Sequence, residues 1–387
     1  MKILFDHQIF ALQTYGGISR YFFELMTHLQ NLNNVTVKNS ILYSRNVYLD
    51  NRFPHYKYVN YENWLVPKYF KGKNRLLKIC QEIGLAPNHN KEMDEFVFDE
   101  LEKGKYDIFH PTYYNPYFLE SVIKYKIPYV LTVHDLIHEK FPFYFDNIEQ
   151  TKCDKQRTIL NASRIIAISK STKNDLVAYY NIPEDKIDVV YHGNSMVTQE
   201  SLSYSKSREK YLLFVGNRSY YKNFFFFVES ILPLFKDFPD LQLYAAGGGE
   251  FTLDELRNFR KLNIDSRVIH KSFGDDVSLM DLYKNAALFV FPSLYEGFGI
   301  PLLEAMVSGC PVVCSNTSSF PEIGGESVHY FDPTNSDSIE KAVREVFTNR
   351  ELQTYLRESG LKNVSRFSWA KTAADSYQVY QKGLKYL

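Results

Sequence analysis

Two glutamates, Glu296 and Glu304, stand eight residues apart in the stretch SLYEGFGIPLLEAMVSGCPVV, residues 293–313. FVFPS reads as a buried strand, LYEGFG as the loop at its carboxyl end, Pro301 as a first-turn residue and Gly309 as a C-terminal cap. Glu296 then lies ahead of a helix N-terminus, at the lip of a cleft, and Glu304 about two turns further along. The neighbours Leu302, Leu303, Ala305, Met306 and Val307 belong to a helix packed on a sheet, which normally keeps carboxylates on its wet face. A carboxylate at this place accepts two hydrogen bonds from a vicinal diol such as a ribose. An ordinary salt-bridged helix residue has the same spacing, so spacing alone leaves both readings open.

Other polar residues fall where α/β proteins bind ligands. Gly16-Gly17 lies between the strand KILF and a helix from about Ile18. Two glycines let a backbone approach a ligand, and a helix start offers unpaired N–H groups to an anion. A structural turn explains the pair equally well. YDIFHP, IPYVLTVHDL and RIIAIS read as short buried strands that stop at His110, His134-Asp135 and Ser169. His110 suits an acceptor contact or a strand-end cap. Arg20 suits an acceptor or phosphate contact and equally a surface helix. Gly247–Gly249 either approaches a nucleotide or only turns the chain.

The elements that must position these residues alternate between strand and helix. Strands at 106–111, 127–136, 164–169 and 185–194 precede a serine-rich linker at about 195–210. Six more follow at 211–217, 241–249, 267–273, 287–293, 311–315 and 328–333. The pattern predicts an α/β protein with two doubly wound domains, 1–200 and 201–366. A chain of 387 residues supports two cores, and 45% apolar with 23% charged residues is globular. Forty-five basic residues balance 45 acidic ones, so no global field favours nucleic acid. Four cysteines without metal-type spacing, an N-terminus unlike a signal peptide and no run long enough to span a bilayer lead us to expect a reduced, cytoplasmic protein. Lys68, Lys71, Lys73, Arg75 and Lys78 form a basic segment suited to peripheral contact with anionic lipid at the inner membrane face, or simply to a solvated helix face.

The long stretch around Glu296 and Glu304 resembles the signature of the family 4 glycosyltransferases: two acids, three glycines and two prolines between apolar runs, in order. YGGISRYFFEL, TVHDLIHEKFPFYF, AISKSTKNDLVAYYNIPEDKIDVVYHGN and FVGNRSYYKN resemble further segments of that family, so the likeness runs through nearly the whole chain. It is thinnest at 45–100. GGISRY and HDLIHEKFP are most similar to the mannosyltransferase-like enzymes of O-antigen and capsule assembly. The resemblance implies the GT-B fold, two Rossmann-like domains facing a central cleft, with helix 367–387 crossing back onto the first.

It also implies roles. Glu304 would bind the ribose and Glu296 the donor sugar, helped by the N–H groups of Gly297, Phe298 and Gly299. Arg218 and Lys222 would neutralise the diphosphate, Gly16 and Gly17 would close over the phosphates and acceptor, and His134 would stand by the reacting sugar. Tyr221 replaces a second basic residue that close relatives often carry. The implied activity is retaining transfer of a hexose from a GDP- or UDP-sugar to a glycan or lipid-linked acceptor. No Asp-x-Asp occurs anywhere, so no metal or other cofactor is expected. Two other classes stay open: a non-transferring nucleotide-sugar enzyme on the same fold, and a non-catalytic partner subunit. The second should have lost Glu296, Glu304, Arg218 or Lys222, and all four are present.

Overall fold

A computed structural model describes residues 1–49, 53, 56–58, 80, 88–145, 148–196, 211–218 and 220–386. The basic segment 68–78 and most of the linker lie outside the described residues.

Among the described residues the first half holds eight strands. They are β1 Lys2–Phe5, β2 Thr36–Asn39, β3 Tyr43–Ser44, β4 Lys57–Tyr58, β5 Ile108–His110, β6 Val130–Val133, β7 Arg164–Ala167 and β8 Ile187–Val189. β2-β1-β5 and β6-β7-β8 are parallel, and a Phe109–Tyr129 bridge joins them into one sheet; β3 and β4 form a separate parallel pair. The second half holds β9 Tyr211–Val215, β10 Gln242–Ala246, β11 Val268–Lys271, β12 Leu288–Phe291, β13 Val312–Ser315 and β14 His329–Phe331, in the order β11-β10-β9-β12-β13-β14. In both sheets the strand order reverses at one place, between β1 and β5 and between β9 and β12. Such switch points open a crevice at the carboxyl ends of the strands.

The strands are continuous apolar runs because helices cover both faces. Side chains alternate between them: Leu212 and Phe214 pack with Val343 and Phe224, while Leu213 and Val215 pack with Leu302, Met306 and Tyr283. The helix Trp369–Gly383 packs on the first half, burying Trp369, Ala373, Val379 and Tyr380 with Phe5, Phe22 and Ile108. Some elements differ from the sequence reading: β2, β3 and β4 are not anticipated by it. A short helix, Gln8–Leu12, fills the expected loop before Gly16. No described helix is long and apolar enough to cross a membrane.

Candidate active site

The helix Ile300–Val307 answers the question posed by Glu304. Pro301 stands in its first turn, Gly299 precedes it at φ 93°, and Gly309 follows at φ 63°. Leu302, Leu303, Ala305, Met306 and Val307 are buried, whereas the Glu304 side chain keeps some surface open to a narrow space between the halves. Gly17, Arg20, Asn194 and Trp369 bound that space from the first half. Tyr283 donates its hydroxyl to Glu304 Oε2 at 3.1 Å. Burial pushes the Glu304 carboxyl up to about 7, with the Arg20 guanidinium and Tyr283 opposing.

A carboxyl raised above its unfolded value stabilises the fold while protonated, and that stability is lost as pH rises through its folded pKa. Glu304→Gln keeps the shape and removes the titration. Its melting temperature should therefore gain on the unsubstituted protein between pH 5 and pH 8, by the equivalent of at most about 3 kcal/mol. Thermal melts across that range check it; parallel curves would mean that Glu304 is not buried in solution.

Glu296 sits at the second sheet's switch point. Lys222 donates to Glu296 Oε1 at 2.5 Å and Ser293 Oγ to the same oxygen at 2.7 Å. Its loop is held through its carbonyls. Ser319 Oγ lies 2.9 Å from the carbonyl oxygens of both Glu296 and Phe298, and Ser169 Oγ donates to that of Gly297 at 2.7 Å. Ser169 belongs to the first half, so this last bond crosses the cleft. Others do so too, among them Leu136 N–H, which donates to Tyr295 Oη at 3.3 Å, and Lys170 N–H, which donates to the Glu322 carboxylate at 2.8 Å.

Gly297 lies hard against the end of β6, where a Cβ would stand 1.8 Å from the His134 carbonyl oxygen. His134 thus meets the loop with its backbone. Its ring turns inward among Tyr21, Phe22 and His192, with Nε2 buried and unpartnered. Burial pushes it down to about 3, so the ring is neutral. His192, which the sequence reading passed over in VVYHGN, stacks on Phe298 at 4.7 Å with both ring nitrogens unpartnered.

Two residues singled out in the sequence have partners inside the chain. His110 is fully buried, bonded to Tyr380 Oη at 2.7 Å and Thr132 Oγ1 at 3.0 Å, and makes a core contact beneath the terminal helix rather than an acceptor contact. Arg218 is 4% exposed and its guanidinium is already engaged: Nε on Glu255 at 2.8 Å, Nη1 on the Gly247 carbonyl at 2.7 Å and Nη2 on the Gly249 carbonyl at 2.9 Å. It shapes a loop whose three glycines all have positive φ, and leaves Lys222 as the cation beside Glu296. Beyond Gly16 and Gly17, the Ser19 N–H donates to Gln13 Oε1 at 3.1 Å.

Arg20 also finds a partner. Its two Nη groups pair with both oxygens of Asp276 across the cleft, at 3.0 and 2.5 Å. A double-mutant cycle on Arg20→Ala and Asp276→Ala should return a coupling of about 1–3 kcal/mol in thermal stability. Additive effects would mean that the halves do not meet there in solution.

The halves therefore face one another across a cleft whose walls carry Glu296, Lys222 and Glu304 on one side and Gly17, Arg20 and the ends of β1, β6 and β7 on the other. Comparison with known proteins supplies the class. Residues 15–194 match the family described as Glycosyltransferase Family 4, and residues 199–363 match Glycosyl transferases group 1. Similar solved structures are sucrose-phosphate synthase from Thermosynechococcus elongatus (TM-score 0.74, 18% identity, 98% of each chain) and Anabaena HepE in complex with UDP and glucose (TM-score 0.70, 17% identity, 98% of each chain). The fold is that of a GT-B glycosyltransferase.

Among sequence relatives, an uncharacterized glycosyltransferase of Methanocaldococcus jannaschii is 29% identical over 74% of this chain and 80% of its own. The O-antigen chain mannosyltransferase B of Escherichia coli is 26% identical over 71% of this chain and 74% of its own. The protein belongs to the family 4 glycosyltransferases.

Proposed function

We propose that this protein transfers a hexose, with retention at the anomeric carbon, from a nucleotide diphosphate sugar to a glycan or lipid-linked acceptor of a surface polysaccharide. The observation that carries the reading is the pairing of Lys222 with Glu296 at the β9/β12 switch point, on the wall that also holds Glu304. Glu304, when ionised, accepts both hydroxyls of a ribose. Donor affinity should accordingly rise with pH through about 7, where that carboxyl ionises.

Lys222 shares its charge between Glu296 and the diphosphate. As the sugar C1–O bond to phosphate lengthens, negative charge grows on the leaving oxygens. The Lys222 ammonium and the N-terminus of the helix Ile300–Val307 stabilise it. The acceptor oxygen bonds to C1 from the side the phosphate leaves, and its proton passes to a leaving phosphate oxygen. No side-chain nucleophile is needed. Glu296 serves sugar hydroxyls and holds Lys222. Phe298 and His192 close the floor beneath. Arg218 acts at a distance, by shaping the 247–249 loop. The missing Asp-x-Asp and the presence of Lys222 support metal-independent transfer.

GDP-mannose is the first donor to try, because E. coli and Salmonella typhimurium relatives are O-antigen mannosyltransferases. A UDP-hexose is the alternative, favoured by the UDP in the HepE complex. Incubation with each donor and EDTA, using slow donor hydrolysis as the readout in place of an unknown acceptor, tests the reading. We expect release of an α-configured sugar from one donor only. Release that appears only when a divalent metal is restored would reject the metal-free scheme.

A further inference from the structure

We propose that Lys155 is a positioning residue for sugar transfer: from beneath the end of β6 it fixes the backbone on which the Glu296–Gly299 loop is seated. The proposal deepens the transferase reading and rests on it for the reaction. The placement is unexpected for the residue type. Ile148, Lys155, Thr158 and Ile159 make the buried stripe of the helix Ile148–Asn161, where the spacing suits an apolar side chain at 155. Lys155 is fully buried all the same, while Lys152 and Arg157 on the same helix reach the surface.

The contacts of the ammonium converge on the strand end. Nζ donates to the Asp135 carbonyl at 2.6 Å and to Glu139 Oε2 at 3.0 Å. It also stands 5.2 Å from the centre of the Tyr114 ring, within reach of a cation–π contact. Glu139 belongs to the short helix Ile137–Lys140 that follows β6, and its Oε1 accepts from Tyr180 Oη at 2.5 Å. Tyr114 Oη accepts the His134 N–H at 3.1 Å. One buried cation thus ties together the loop after β5, the end of β6 and the helix after it.

The strand end so held is the one that meets the second half. Three successive backbone groups there are committed. The His134 carbonyl is the surface on which Gly297 packs with no room for a Cβ, Lys155 holds the Asp135 carbonyl, and the Leu136 N–H crosses to Tyr295 Oη, one residue before Glu296. A shift of the middle group moves both neighbours, and with them the seat of Glu296 and of the Lys222 that pairs with it. A buried ion pair can often be replaced by apolar residues of similar volume without loss of stability. Here an apolar side chain of the same length would fill the volume and leave the Asp135 carbonyl without its donor.

Slow donor hydrolysis by the full chain, with nucleoside diphosphate affinity by calorimetry and amide hydrogen exchange on the same samples, tests this. Lys155→Met alone would leave Glu139 buried without its cation, so the test variant is Lys155→Met with Glu139→Gln, which keeps an acceptor for Tyr180. Its kcat should fall about 10–100-fold while nucleotide affinity stays within about threefold. The His134 and Leu136 amides should exchange at least about tenfold faster, with those of β5 unchanged. Arg164→Met with Asp188→Asn is the control: that pair is also largely buried, but at the start of β7, the end of the sheet away from the cleft. Equal kcat in all three proteins, or an equal fall in both variants, would overturn the assignment. If the unsubstituted chain hydrolyses no donor, the transferase reading fails and the exchange decides alone. Faster His134 and Leu136 amides then uphold Lys155 as the residue that places the strand end, and unchanged ones overturn it.

Discussion

Lys222→Ala should lower transfer, read as kcat/KM, by about 10²–10³-fold, the cost of removing a group that stabilises charge only as it develops. Lys222 faces the Glu296 carboxylate at 2.5 Å, and the side chains of both are largely shielded from water. Removing the ammonium therefore has a second effect, since Glu296 is left with Ser293 as its remaining side-chain partner and loses part of its compensation. The two effects separate in the double variant Lys222→Ala with Glu296→Gln. Neutralising the glutamate should recover the melting temperature and leave the rate low. A double variant that regains most of the rate would show that Lys222 serves only to neutralise Glu296.

Gly297→Ala should be the most damaging single methyl among the described glycines. The added carbon would stand 1.8 Å from the His134 carbonyl oxygen, and a backbone atom cannot rotate away as a side chain would. Either the loop or the strand end must move by more than an ångström, and misplacement on that scale costs about 10²-fold in rate. The halves should separate while the second half still binds nucleotide, so the signature is a fall in kcat with a larger radius of gyration in scattering. Gly17→Ala is the contrast. Its methyl would meet only Ile300 Cδ1, at 3.5 Å, an ordinary contact. If Gly17→Ala folds normally and loses activity, the loss reports on a ligand that needs the space. If Gly297→Ala is fully active, the seam between the halves is not the working one.

Much of this architecture is legible in the chain because burial on both faces makes parallel strands conspicuous. VLTV, RIIA, LFVF and VVCS are apolar at every position, or nearly so, and each is a strand. Pro301 and Gly309 bracket their helix as capping chemistry requires. What the sequence leaves out has one cause. Residue type and spacing show which groups can do chemistry but not which partner claims them first. Arg218 is claimed by Glu255, 37 positions away, and His110 by Tyr380, 270 positions away. Both partners look unremarkable in sequence, a helix-start glutamate and a tyrosine in a terminal helix. His192 is legible in principle, as a histidine following an apolar strand, the same signal that singles out His134. Gln8–Leu12 was hidden because QIFAL is too short for its periodicity to register.

The central claim is that one nucleoside diphosphate binds the cleft through Glu304 and Lys222. Calorimetric titration with GDP, UDP and ADP in EDTA, on the unsubstituted protein, Glu304→Ala and Lys222→Ala, tests it most directly. The account predicts selective binding of one diphosphate, weakened at least tenfold in both variants. A well-folded protein that binds none of the three, or binds one equally with and without these side chains, would contradict it and favour a non-catalytic partner subunit.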